Sequence, residues 1–162
     1  MISKITENLY IGEYSDIIGQ TLEETKDRLK QISALEIEHV LSLCSEGVES
    51  RQIENEAKAF RTVQQGKTKV QLHHKPVPIS GKSTHDRYKV GFALAVKEIY
   101  GIIFNDPKAK ILIHCTAGID RAPFVVASYL ARSSHLDIVD AYREIKKIRP
   151  SVIEHLEWVS RT

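Results

Sequence analysis

Residues 111–123 read Ile111-Leu112-Ile113-His114-Cys115-Thr116-Ala117-Gly118-Ile119-Asp120-Arg121-Ala122-Pro123. An apolar run ends in a histidine and a cysteine, and an arginine follows after five intervening residues. Strand, tight loop and helix are predicted to meet here. Pro123 suits the first turn of the helix, where its missing N–H costs nothing. A loop of this kind aims backbone N–H groups at one point, and the helix N-terminus adds partial positive charge there. Such a place suits a dianion. Positive surroundings bring a thiol pKa from about 8.5 down to roughly 3.5–7.5. A thiolate beneath a phosphoryl group is a nucleophile aimed at phosphorus.

Outward from this segment the chain alternates strands and helices. Leu9–Ile11, Ile37–Leu43, Val70–Val77 and Ile111–His114 are short and rich in β-branched residues, which predicts strands. Leu22, Thr25, Leu29 and Ile32 share one helical face, and Phe92, Val96, Ile99 and Ile103 form a stripe of 3.6-residue spacing that ends at Asn105-Asp106-Pro107. Val48–Phe60 is a weaker helical pattern. A helix follows the loop from about Ala122 to Arg132. Asp137 caps a helix carrying Ile138, Tyr142 and Ile145, and Val152–Val159 is expected to form a last one. Alternation of this kind predicts a sheet covered on both faces, with the cysteine at the carboxyl end of a strand.

Composition narrows the function. A chain of 162 residues is expected to make one domain with a substantial core. The formal net charge of +2 gives no reason to expect a polyanion-binding surface. No apolar run approaches the roughly 20 residues of a membrane span, and the start lacks a signal-peptide pattern. Two cysteines, Cys44 and Cys115, do not make a disulfide framework, so a reducing cytoplasm is expected and Cys44 is assigned to the core. The histidines lack zinc-site spacing, and adjacent His73 and His74 point to opposite faces of a strand.

The loop is similar to the HCx5R phosphate-binding loop of the cysteine-dependent phosphatases, and the chain resembles the dual-specificity group of the protein tyrosine phosphatase superfamily. Lys4-Ile5-Thr6-Glu7-Asn8-Leu9-Tyr10-Ile11-Gly12 is similar to the I-T-x-x-L-Y-I-G start of that group. Ile37–Cys44 is similar to its I-x-x-V-L-x-L strand, and Ile148-Arg149-Pro150 to its x-R-P. The resemblance implies a single α/β domain over residues 1–162, a central, mostly parallel sheet of four or five strands flanked by helices. It also implies hydrolysis of phosphate monoesters through a cysteinyl-phosphate. The default substrate is a protein bearing phosphotyrosine, and also phosphoserine or phosphothreonine. No metal, cofactor, nucleic-acid or membrane partner is implied.

On this resemblance Cys115 is the nucleophile and Arg121 holds phosphoryl oxygens with its planar fork. Thr116, Ala117, Gly118, Ile119 and Asp120 supply backbone N–H groups, and His114 is a buried support. Two carboxylates compete for the general acid. Asp86 is the only carboxylate between Gly81 and Lys89, yet Ser83-Thr84-His85-Asp86 also fits a capping box. Lys82, His85, Arg87 and Lys89 crowd the same segment, as a positive rim or an ordinary solvated helix start. Asp120 is the rival acid. An aspartate before the arginine resembles the loops of myotubularin and Sac-type phosphoinositide phosphatases. Ala122 stands where most members carry a hydroxyl residue, but plant glucan phosphatases also have Arg-Ala-Pro. Three alternatives stay open: a phosphatase for phosphoinositide, phosphoglucan or RNA 5′ ends, a catalytically silent phosphate-binding module, and a rhodanese-like sulfurtransferase.

Overall fold

A computed structural model describes residues 1–64, 70–78 and 85–159, excluding the side chains of 63–64 and 85–87. The strands are β1 (Ser3–Lys4), β2 (Leu9–Glu13), β3 (His39–Ser42), β4 (Gln71–His74) and β5 (Ile111–Cys115). The helices are α1 (Leu22–Ala34), α2 (Ser50–Gln64), α3 (His85–Asn105), α4 (Arg121–Ser133) and α5 (Ile138–Ile148). The described strands form one sheet in the order β1-β2-β5-β3-β4. All neighbours are parallel except β1, which runs antiparallel to β2. The predicted class and sheet are therefore observed, with a two-residue edge strand that no pattern announced.

The strand carrying the cysteine lies at the centre of this sheet. β5 is buried along its whole length, and its near-continuous apolar run is what a strand covered on both faces requires. Its side chains alternate between two cores. Ile111, Ile113 and Cys115 pack with Phe92, Val96 and Ile99 of α3, Val125 of α4 and Tyr142 of α5. Leu112 packs on the other face with Leu29 and Ile32 of α1 and Phe60 of α2. Register with period two thus places Cys115 on one side of the sheet and His114 on the other. Parallel pairing sets Glu13 opposite Cys115 and Ser42 opposite His114, so three strands end together around the loop.

Local signals explain the helix ends. Asp137 caps α5 as predicted, by accepting from the Val139 N–H, and Thr21, not foreseen, caps α1 by accepting from the Glu24 N–H. Asp106, just past α3, donates its N–H to Ile102 O and accepts from Lys108 N–H. Val152–Val159 does not form the expected last helix: only Leu156–Trp158 makes a single 3-10 turn. The reason lies in its backbone bonds. The Ile153 N–H goes to Ile119 O in the loop at 2.9 Å, and the bonds from Val152 N–H to Arg149 O, Trp158 N–H to His155 O and Val159 N–H to Leu156 O each span three residues, as in turns and not in an α-helix.

Arg149 explains why the x-R-P stretch matters. Buried at the end of α5, it donates from Nε to Gly118 O at 2.9 Å and from Nη1 to Met1 O and to Ser3 Oγ (3.0 Å). One guanidinium therefore ties the loop to the N-terminal strand. Arg149→Met keeps the stem but leaves buried carbonyls unpaired. Its unfolding free energy in urea should fall by about 2–4 kcal/mol with an unchanged m-value. An unchanged midpoint would show that the ties carry no stability.

Candidate active site

The loop between β5 and α4 is shaped by one glycine and two neighbouring chains. Gly118 has φ +67°, and a Cβ there would lie 2.6 Å from Arg149 Nη2 and 2.6 Å from Gly12 O. The Tyr14 N–H donates to Thr116 O at 3.1 Å, bracing the loop from the end of β2. Asp120 precedes the first turn of α4, and its carbonyl accepts from the Phe124 N–H. Cys115 and Arg121 are both buried at this junction, the first at the end of β5 and the second opening α4. The predicted strand–loop–helix arrangement is present, and both residues border the same anion-suited loop.

The state of Arg121 decides what the pocket can bind. The residue is 6% exposed, and its guanidinium faces Glu49, itself 4% exposed. Nη1 donates to Glu49 Oε1 at 2.7 Å and Nη2 to Glu49 Oε2 at 2.8 Å. Nη1 also donates to Val77 O at 2.9 Å and lies 3.3 Å from Leu43 O. A guanidinium has five N–H groups in a rigid fork. Among the described residues these partners use the Nη1 side and half of Nη2. Nε and the second Nη2 hydrogen form the remaining edge, and that edge is bidentate for a phosphoryl group. Glu49 also accepts from Ser45 N–H at 2.7 Å and from the Thr116 hydroxyl. Burial alone would raise its pKa, but the bonds from Arg121, Ser45 and Thr116 outweigh this and pull it down to about 2.

A second polar cluster lies behind the loop. His114 is fully buried, with Nδ1 3.2 Å from Cys115 O and Nε2 3.2 Å from Glu56 Oε1 of α2, out of line for a hydrogen bond. The Cys44 thiol faces Gln52 Oε1 at 3.4 Å and Glu56 Oε1 at 3.6 Å. Donor atoms of Cys44, Glu56 and His114 lie within 4.8 Å of one another, which is close enough to hold a metal ion. The chemistry opposes it, because burial and Glu56 push the Cys44 thiol well above its ordinary range and leave it a donor rather than a thiolate ligand. His114 is thus buried, as expected, behind the loop. His73 and His74 diverge as predicted, one meeting Glu98 and the other Cys44 O.

Asp120 does not cap α4. Its Oδ1 is instead 2.6 Å from His155 Nε2, and His155 Nδ1 is 2.6 Å from Glu157 Oε1. The His155 ring stacks on Trp158 at 3.8 Å between centroids. Asp86 falls in the first turn of α3, and its side chain lies outside the described residues, as do Lys82, Ser83 and the proposed cap.

Residues 9–161 match the dual specificity phosphatase catalytic domain. The chain belongs to this family. The match takes in the Cys115 loop, Arg121 and every described helix of the sheet's two flanks. It is 26% identical to tyrosine-protein phosphatase vhp-1 of Caenorhabditis elegans over 162 residues, 99% of this chain and 20% of that protein. It is 30% identical to human dual specificity protein phosphatase 5 over 86 residues, 50% of this chain and 20% of that protein. The chain thus spans about a fifth of the length of these curated relatives. Among solved structures it resembles the human tyrosine phosphatase-like serine/threonine/tyrosine-interacting protein, with a TM-score of 0.72, 18% identity, and coverage of 97% of this chain and 89% of that one. It also resembles PTPMT1, with a TM-score of 0.67, 19% identity, and coverage of 98% and 88%. No described helix of the chain is long and apolar enough to cross a membrane.

Sequence reading missed Glu49, Glu56 and His155. Each is a lone charged or titratable residue, far along the chain from the loop it serves, and no local pattern marks it. Glu49 carries a direct prediction. Glu49→Ala leaves Arg121 buried without a counter-ion and should lower the unfolding free energy by about 3–5 kcal/mol. The pH dependence has a defined sign. A carboxylate depressed from 4.5 to about 2 on folding adds stability that is complete above 4.5 and is lost as pH falls toward 2. Urea unfolding between pH 6 and about pH 2 should therefore show a shallower decline in Glu49→Gln than in the parent. Equal slopes would contradict the assignment.

Proposed function

We propose that this chain hydrolyses phosphate monoesters on proteins, phosphotyrosine first and also phosphoserine or phosphothreonine, through a cysteinyl-phosphate. The observation that carries this reading is the Arg121 edge that Glu49 leaves unused among the described residues, at the start of the helix that follows the buried cysteine ending β5. The Cys115 thiolate attacks phosphorus as the bond to the leaving oxygen breaks. Arg121 and the N–H groups of Thr116, Ala117, Gly118, Ile119 and Asp120 hold the three equatorial oxygens. Asp86 gives the leaving oxygen its proton. Water then attacks phosphorus, the P–S bond breaks, the thiolate departs and Asp86 takes the proton from water. Asp120 is engaged by His155 at 2.6 Å, which supports Asp86 as the acid. The domain spans residues 1–162, acts in the cytoplasm and needs no metal.

Release of p-nitrophenol from p-nitrophenyl phosphate, without added metal, tests this. Turnover should vanish in Cys115→Ser. Asp86→Asn should lose about 10²–10⁴-fold in kcat and with it the basic limb of the pH–rate profile. If Asp120→Asn removes that limb and Asp86→Asn leaves it intact, the two roles are reversed. If the parent shows no turnover above Cys115→Ser, the phosphatase reading of this site fails.

Ala122 gives a separate prediction. Without a hydroxyl beside the thiolate leaving group, breakdown of the phosphoenzyme should be the slow step. Rapid mixing should show a burst of p-nitrophenol, and Ala122→Ser should raise the steady-state rate. No burst, with Ala122→Ser no faster, would contradict this.

A second reading takes a phosphoinositide as substrate. Asp120 before the arginine and the Ala122-Pro123 pair favour it, and the similar PTPMT1 is also known in complex with PI(5)P. A panel of phosphopeptides and phosphoinositides at equal concentration separates the two: higher kcat/KM on peptides supports the first, and higher kcat/KM on lipid headgroups the second.

A further inference from the structure

An aspartate inside an anion-binding loop is an electrostatic contradiction. Asp120 puts a negative charge one residue from Arg121, where a dianion has to sit. The structure shows how the contradiction is met. Both ring nitrogens of His155 lie 2.6 Å from carboxylate oxygens, one from Asp120 and one from Glu157. A neutral imidazole has only one N–H. With both carboxylates ionised, two contacts this short require two donors, which means an imidazolium.

We propose that His155, clamped as an imidazolium between Asp120 and Glu157, is a positioning residue that neutralises Asp120 and so lets the loop take a doubly charged oxyanion. This deepens the phosphatase reading and rests on it. The rest of the surroundings are consistent with a built clamp. The backbone N–H of His155 donates to the Tyr142 hydroxyl of α5 at 3.3 Å. One face of the ring is covered by Trp158, which is itself set among Tyr88 and Phe92 of α3 and Phe124 of α4. Among the described residues the charged groups facing the ring are Asp120 from the loop and Glu157 from its own turn, while neighbouring Glu154 lies 3.8 Å from Lys146. Burial favours the neutral ring, but the two carboxylates outweigh it and raise the His155 pKa above its ordinary 6.5. The sign follows: anion affinity is highest below the His155 pKa and falls as pH rises through it.

Trp158 is the only tryptophan of the chain, so it reports on His155 directly. An imidazolium stacked on an indole quenches its emission more than a neutral ring does. The experiment is a pH titration of tryptophan emission on the full chain, without and with saturating sulfate, a dianion that does not titrate in this range. Melting temperature is recorded in parallel to register sulfate binding.

The titration should show a step above pH 6.5 that is absent in His155→Gln and moves down in Asp120→Asn. By reciprocity, a tenfold preference of sulfate for the protonated state raises the midpoint by about one pH unit. The same sulfate should leave the midpoint of Asp120→Asn nearly fixed. If sulfate raises the melting temperature but leaves the parent midpoint unmoved, the clamp has no part in anion binding and the proposal is overturned while the phosphate site stands. If sulfate shifts Asp120→Asn as much as the parent, the coupling does not pass through Asp120 and the proposal is likewise overturned. If sulfate changes neither quantity, the anion-site reading falls and takes the proposal with it.

Discussion

A guanidinium buried at the floor of an anion pocket has to be neutralised when the pocket is empty and still be available when it is full. Glu49 meets both demands because it takes one edge of Arg121 and leaves the other. An unpaired buried charge costs several kcal/mol, which is what Arg121 would carry without Glu49. The bonds from Ser45 and Thr116 keep Glu49 ionised and fixed in direction. The loop is therefore braced through Thr116, and for the transfer proposed above donors braced in this way need little rearrangement when charge develops in a transition state.

The rest of the fold serves that placement. Three parallel strands end together at the loop, and period-two alternation along β5 sends Cys115 toward α3, α4 and α5 and its neighbour His114 toward α2. Arg149 and the Ile153 N–H pin the loop from the C-terminal side, while Tyr14 pins it from the N-terminal side. Gly118 is the point where these ties leave no room for a side chain. Arg121 and His155 thus each face a carboxylate that fixes its orientation.

Much of this was legible in the residue order, because the loop is local. A β-branched run, a glycine and a proline within thirteen residues suffice to announce a strand, a turn and a helix start. The 3.6-residue stripe of α3 and the Asp137 cap were readable for the same reason. What was not readable depends on contacts across the chain. Glu49 reaches Arg121 from seventy-two residues away. β1 is two residues long and exists only through its pairing with β2. Val152–Val159 has apolar residues at plausible spacing, but its path is set by a distant contact, the Ile153 N–H bonded to Ile119 O in the loop, and its later bonds close three-residue turns. The contact of Asp120 with His155 was not readable either, because 35 residues separate the two.

The central claim is that the phosphoryl group passes through the sulfur of Cys115. The most direct measurement is acid quenching of the parent chain during turnover of excess p-nitrophenyl phosphate, followed by peptide mass spectrometry to locate the phosphoryl adduct. The account predicts the adduct on the peptide bearing Cys115, as an acid-stable thiophosphate that is absent from Cys115→Ser. An adduct on another residue, or turnover with none on Cys115, would contradict it.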